Sequence, residues 1–281
     1  MSAVYDDRPC DLGEGLLWHP ERAELFWFDI LNDTLFSKTA TWEFDCHVSA
    51  AGWVDADRLL IASEVDLRLL DLSTGETEPI CPLEPDNPDT RSNDGRADPM
   101  GGFWIGTMGK SAQTGAGTIY RFFKGELRVL YDRITIPNAI CFAPGGELAY
   151  FADTTRRQIM RQPLDAQGWP RGEPHLHVDL RRVGRNPDGA VVDSAGNLWC
   201  AEWGAGHVAC YGSDGALVHS IGIGAPHTSC PAFGGDDLTR LFVTTARQGM
   251  SEPALREFPK AGQVFVADAG AVGQAEHRVI L

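Results

Sequence analysis

Four short stretches set a carboxylate, carboxamide or guanidinium beside glycine or proline: Leu12-Gly13-Glu14-Gly15, Arg91-Ser92-Asn93-Asp94-Gly95-Arg96, Ile136-Pro137-Asn138-Ala139 and Asn186-Pro187-Asp188-Gly189. Glu14 and Asp188 offer hard anionic oxygens, and Asn138 a neutral amide oxygen. An all-oxygen set suits Ca²⁺, Mg²⁺ or Mn²⁺ better than a soft metal. Three protein ligands leave positions for water and substrate, the mark of a catalytic rather than a structural metal site. Each stretch also has a plainer reading. Glu14 between glycines is an ordinary loop carboxylate, Asn93-Asp94-Gly95 and Asp188-Gly189 are common turns, Asn138 after proline starts a turn, and Arg91 pairs with a surface acid. His19, before Pro20, reads as structural. The weight rests on joint occurrence at equivalent places in a repeat. No Gly-x-Ser-x-Gly elbow, His-Glu-x-x-His motif or phosphate loop competes with this set.

The repeat comes from six β-rich runs, Leu25–Asp29, Leu59–Ser63, Phe103–Thr107, Ala149–Asp153, Leu198–Glu202 and Leu241–Thr245. They recur about every 35 to 50 residues, the period of propeller blades. Turns rich in Gly, Asp and Asn precede most of them, and a further strand usually follows, such as Gly117-Thr118-Ile119-Tyr120-Arg121. A β-sandwich also has many short strands. Six repeats with one internal order favour an all-β, six-bladed β-propeller, expected as a single domain over residues 1–281. In that fold the four polar stretches, read as lying just before each inner strand, converge on the central channel. A strand near Val4-Tyr5 is expected to complete the blade begun by the C-terminal residues. Trp18, Trp27, Trp53, Trp104, Trp199 and Trp203 read as blade packing rather than a sugar-stacking platform. The stretch 82–90 is the most loop-like.

The 281 residues carry a formal charge of −15. That argues against nucleic acid or anionic membrane as partners, which reward basic surfaces. The N-terminus lacks the basic region and apolar core of a signal peptide, and no apolar run approaches the roughly 20 residues that span a bilayer. The seven cysteines are scattered, odd in number and form no Cys-x-x-Cys pair. They read as reduced thiols in a cytoplasmic protein, monomeric or weakly homo-oligomeric.

Taken together, the stretches resemble the SMP-30/gluconolactonase/regucalcin-like family over nearly the whole chain. The resemblance rests on Leu12-Gly13-Glu14-Gly15 with Leu17-Trp18, on Asn93-Asp94-Gly95-Arg96 with Asp98-Pro99 and 103–108, and on Pro137-Asn138 with 142–146 and Tyr150-Phe151-Ala152-Asp153. It continues through Pro187-Asp188-Gly189 with Gly196-Asn197-Leu198-Trp199 to Cys230-Pro231-Ala232-Phe233-Gly234-Gly235. It implies a six-bladed propeller with one divalent metal on Glu14, Asn138 and Asp188, substrate contacts from Arg91 and Asn93, and Asp188 as general base. It adds Zn²⁺ to the possible metals, and Lys110 or Ser111 as a further substrate contact. Departures from the family pattern are Leu16 where proline is common, Ala139 where glycine is frequent, and Cys200 and Glu202 in a strand usually more apolar.

The function expected is hydrolysis of a sugar lactone: a metal-polarised carbonyl attacked by water, with Asp188 taking the proton, Arg91 stabilising the oxyanion, and Arg91 and Asn93 holding ring hydroxyls. Glu202 is the alternative base. Hydrolysis of a non-sugar ester and a non-catalytic calcium-binding or interaction propeller are the rival classes.

Overall fold

The computed structural model describes residues 2–281. Six four-stranded antiparallel sheets form the blades of a β-propeller. The innermost strands are Gly13–His19, Val48–Asp55, Thr90–Ala97, Pro137–Phe142, Asn186–Val192 and Thr228–Gly234. Each packs against the next, and the last returns to the first, closing the ring. Blade six is shared between the ends of the chain. Ala3–Asp6 pairs antiparallel with Val264–Asp268, so an N-terminal strand finishes a C-terminal sheet, as expected from sequence.

The six apolar runs are the second strands. Their residues alternate between two neighbouring blades, so both faces are apolar. In blade one, Leu25 and Trp27 pack toward blade six, whereas Phe26 and Phe28 pack toward blade two. Six such clusters fill the six seams between blades. Trp27, Trp104 and Trp199 are fully buried in them. Burial of a large apolar side chain contributes about 1.5–3 kcal/mol over leaving it exposed, so the seams carry most of the stability.

Two features set the ends of the channel. The four polar stretches occupy the N-terminal ends of their innermost strands. At the other ends lies the C-terminal segment 272–281. Val272 O accepts from Ser194 N (2.8 Å), and Gly273 N donates to Leu238 O (2.8 Å). Gln274 Nε2 donates to the Val192 and Phe142 carbonyls (2.9 and 3.1 Å), Glu276 pairs with buried Arg96, and Ile280 N donates to Gly101 O (2.8 Å). The segment thus crosses the mouth opposite the polar stretches. Among the described residues no helix is long and apolar enough to cross a membrane.

His19 is structural. It is fully buried, and its Nε2 donates to the Asp55 carbonyl at 2.9 Å.

Candidate active site

Every innermost strand breaks register with its neighbour near its N-terminal end. The shifts fall between Glu14 and Leu17, Val48 and Ala50, Ser92 and Gly95, Asn138 and Cys141, Pro187 and Ala190, and Thr228 and Pro231. A bulge of this kind re-aims side chains out of the pleat. The polar stretches therefore lie within the innermost strands, not before them as the sequence suggested. Gly, Pro, Asp and Asn disfavour regular strand, but a bulge accommodates them. At Gly15, φ is +58°, and an added Cβ would sit 2.2 Å from the Ser49 carbonyl. Ala139 holds the same left-handed geometry at φ +56°, which glycine adopts without strain.

Glu14, Arg91, Asn93, Asn138 and Asp188, drawn from four blades, line one cavity of about 370 Å³. All five are buried, each at most 8% exposed. A chain of hydrogen bonds links Arg91, Asn93 and Asn138 and reaches the carbonyl that precedes Asp188. Arg91 Nη1 donates to Asn93 Oδ1 (2.9 Å) and to the Ser92 carbonyl (2.8 Å). Asn93 Nδ2 donates to Asn138 Oδ1 (3.2 Å) and to the Pro137 carbonyl (2.9 Å). Asn138 Nδ2 donates to Thr154 Oγ1 (2.8 Å), and that hydroxyl donates to the Pro187 carbonyl (2.8 Å), next to Asp188. Arg91 thus makes no surface ion pair; it is a buried cation facing a cavity.

The carboxylates strain one another. Burial, then the charge of Asp94, pushes Glu14 up to about 8. Burial, then Glu14 and Asp94, raises Asp188 well above its ordinary range. Asp94 itself rises to about 6 through burial, although its Oδ2 accepts from Ile140 N at 2.8 Å. Burial lowers Arg91 to about 10, against the pull of Glu14 and Asp188, so it stays protonated at neutral pH. Buried carboxylates held at such a cost fit a divalent cation, which reverses the repulsion. The donor set fits as well: oxygens only, two of them anionic. Among the described residues no three Asp, Glu, His or Cys side chains group as a metal site; the set here depends on an amide.

Lys110 and Ser111 both line the cavity. The Lys110 ammonium lies 2.7 Å from Glu64 Oε2. Glu202 is otherwise engaged. Its side chain accepts from Tyr211 Oη and His207 Nε2 (the latter at 2.8 Å), with Arg185 3.7 Å away. Despite burial, those bonds hold it below the ordinary glutamate range, and a carboxylate so occupied is a poor proton acceptor.

Sequence reasoning missed Thr154 and Gln248, and it assigned Trp203 to packing. All three line the cavity. Trp203 stacks on His227 with centroids 4.3 Å apart. A signal for Thr154 was available: it follows the Tyr-Phe-Ala-Asp run, the place where Ile30 follows Leu-Phe-Trp-Phe-Asp in blade one, and both open a short 3₁₀ turn.

The model of the SMP-30/Gluconolactonase/LRE-like region matches residues 12–247. A candidate sugar lactone lactonase of Rhizobium meliloti (strain 1021) is 40% identical over 262 residues, covering 91% of this chain and 89% of that protein. The L-arabinolactonase of Azospirillum brasilense is 33% identical over 296 residues, covering 99% and 95%. The crystal structure of a calcium-binding protein, regucalcin, from Agrobacterium tumefaciens strain C58 superimposes with a TM-score of 0.97 at 38% identity, covering 100% and 98%.

Proposed function

Because the chain belongs to the SMP-30/gluconolactonase/LRE-like family, we propose that it hydrolyses a sugar lactone to its aldonic acid, and that turnover requires one divalent cation at the channel mouth. The observation that carries this reading is the convergence of Glu14, Asn138 and Asp188, from three blades, on the cavity that also holds Arg91 and Asn93. The similarity to the Azospirillum arabinolactonase supports the substrate class.

When bound by Glu14, Asn138 and Asp188, a divalent cation would supply Lewis-acid polarisation of the ester carbonyl and acidify water. Ca²⁺ suits the oxygen set best, with Mn²⁺, Mg²⁺ and Zn²⁺ to be compared. The chain's own residues do the rest. Arg91 spends Nη1 on Asn93 and Ser92, which leaves its other N–H groups for the substrate. There it orients ring oxygens and stabilises the developing oxyanion. Asn93 holds a ring hydroxyl. Asp188 takes a proton from the attacking water and returns it to the ring oxygen as the ester opens. The free cysteines fit a reducing compartment, and we place the protein in the cytoplasm.

A second reading has an observation behind it. Leu12, Met108, Ile136 and Trp203 also line the same cavity and give it apolar surface, which would favour a less polar lactone or ester.

The test is a chelator-stripped enzyme offered glucono-, galactono- and arabinono-lactone, an alkyl γ-lactone and an aryl ester, with each cation restored separately. Cation-dependent acid release from the aldonolactones, absent in Asp188→Ala, supports the proposal. Turnover of only the apolar substrates moves the assignment to the second reading. No turnover by folded protein with any cation overturns both.

A further inference from the structure

Thr154 belongs to none of the four polar stretches. It stands at the seam between blades four and five, directly after the second strand of blade four, and lines the cavity. Its backbone is fixed on two sides. Thr154 N donates to the Ile136 carbonyl at 3.0 Å. The preceding Asp153 accepts from the backbone N–H groups of Thr135 (3.0 Å), Ile136 (3.3 Å) and Thr155 (3.2 Å). The β-branched side chain adds its own stiffness at χ1.

The hydroxyl has one proton, which goes to the Pro187 carbonyl at 2.8 Å. Only lone pairs remain to face Asn138, and only the NH₂ end of the Asn138 amide can meet them, at 2.8 Å. The amide is thereby turned with Nδ2 to the seam and Oδ1 to Asn93 and the cavity. The torsion that turns a carboxamide is soft and roughly two-fold. An amide presenting its NH₂ group inward cannot ligate a cation.

We infer that Thr154 is a positioning residue. Its single hydroxyl locks the Asn138 amide oxygen-inward and ties that amide to the carbonyl just before Asp188, so that blades four and five present their oxygens together. This inference rests on the cation-dependent reading above. It predicts a dependence that packing alone does not: the hydroxyl matters only while residue 138 has two unlike ends. A carboxylate at 138 offers oxygen whichever way it turns.

The experiment is calorimetric titration of Ca²⁺, and separately Mn²⁺, into the chelator-stripped full chain. The variants are Thr154→Val, Thr154→Ser, Thr154→Ala, Asn138→Asp and the Asn138→Asp/Thr154→Val double variant. Each apo form is checked by thermal melting, and Thr154→Ala serves if Thr154→Val does not fold. Loss of an outer-shell partner typically weakens metal binding about 10- to 100-fold. We expect that loss in Thr154→Val, near wild-type affinity in Thr154→Ser, and less than about a twofold effect of Thr154→Val in the Asn138→Asp background. Wild-type-like binding by Thr154→Val and Thr154→Ala, or an equal loss in both backgrounds, overturns the inference and leaves the cation reading standing. Absence of cation binding by the wild type overturns both.

Discussion

Asn93 Nδ2 lies 3.2 Å from Asn138 Oδ1 and 2.9 Å from the Pro137 carbonyl, so one amide from blade three is clamped across the start of blade four's innermost strand. On its other side Asn93 Oδ1 accepts from Arg91 at 2.9 Å. The amide is thus a joint between the residue proposed to bind the oxyanion and a residue proposed to bind the cation.

Asn93→Ala breaks the joint but leaves Asn138 its bond to Thr154. We expect kcat/KM for the preferred aldonolactone to fall about 100-fold, roughly 2.7 kcal/mol of transition-state stabilisation. Cation affinity should change by less than about tenfold. Steady-state kinetics and cation titration of one preparation check this. Equal losses in both would move Asn93 from substrate contact to the cation's ligand set.

Asp188 is assigned two duties, and Asn and Ala substitutions separate them. Asp188→Asn keeps an oxygen for the cation but cannot accept a proton. Its kcat should drop about 10²- to 10⁴-fold with much of the cation affinity retained. Asp188→Ala should lose both. If Asp188→Asn stays active within a few-fold, the proton goes elsewhere. Glu202, held by Tyr211 and His207, would then have to be freed to receive it.

The raised carboxyls make stability depend on pH in a defined direction. The ordinary value for Glu14 is 4.5, and burial with the charge of Asp94 holds it at about 8; Asp188 shifts the same way. The folded, cation-free protein therefore holds these protons to higher pH than the unfolded chain does. The stabilisation is full below about 4.5 and lost as pH rises through about 8. Tm of chelated protein should fall over that interval. A divalent cation should offset the fall, with a larger rise in Tm at pH about 8 than at pH about 6, since binding must displace protons. Scanning calorimetry across that range, with and without cation, decides it. A cation effect that does not grow with pH would contradict it.

The second strands are legible in the sequence because both their faces are buried: Leu25-Phe26-Trp27-Phe28 serves two seams at once and reads as a continuous apolar run. The innermost strands are not, since the bulges at the four polar stretches carry Gly, Pro and Asx, which read locally as turns. The candidate residues Glu14, Arg91, Asn93, Asn138 and Asp188 are visible as chemistry, and the repeat brings them to one cavity. Arg91's burial is invisible because nothing local says which side of a bulge a side chain takes. Trp203 joins the cavity because its strand ends there, which periodicity does not report. The segment 272–281 has neither helical nor strand period; it is ordered by single hydrogen bonds to distant blades.

The two left-handed bulge residues should respond oppositely to change. Gly15→Ala forces a Cβ to 2.2 Å from the Ser49 carbonyl and 2.7 Å from Phe28 Cδ2, at φ +58°. The left-handed term costs about 1–2 kcal/mol and overpacking about 1–3, so Tm should drop by several degrees and cation binding weaken with the displaced Glu14. Ala139→Gly removes the left-handed term and adds about 0.4–1 kcal/mol of unfolded-state entropy. It should be neutral or slightly stabilising by urea denaturation. Strong destabilisation by Ala139→Gly would mean that the methyl's packing outweighs the backbone.

At the far mouth, Arg96 Nη1 and Glu276 form an ion pair with about a tenth of each side chain exposed, and Arg96 Nε has no hydrogen-bond partner among the described residues. Trp53 Nε1 donates to the Glu276 carbonyl at 2.8 Å, and Val279, 1% exposed, fills the space over Gly52. Glu276 is thus the point at which the closing segment is tied electrostatically to blade three. Removing one partner of a buried pair leaves the other charge uncompensated, at about 3–5 kcal/mol. Glu276→Ala should therefore destabilise far more than an exposed substitution such as Glu252→Ala. Arg96→Met/Glu276→Leu, which removes both charges and keeps the bulk, should recover much of the loss. Glu276 lies outside the cavity at the opposite mouth, so once corrected for the folded fraction, kcat/KM of Glu276→Ala should stay near wild type. Urea denaturation with kinetics on the same samples tests both parts. Loss of activity in fully folded Glu276→Ala would show that closure of the far mouth is felt at the proposed active site.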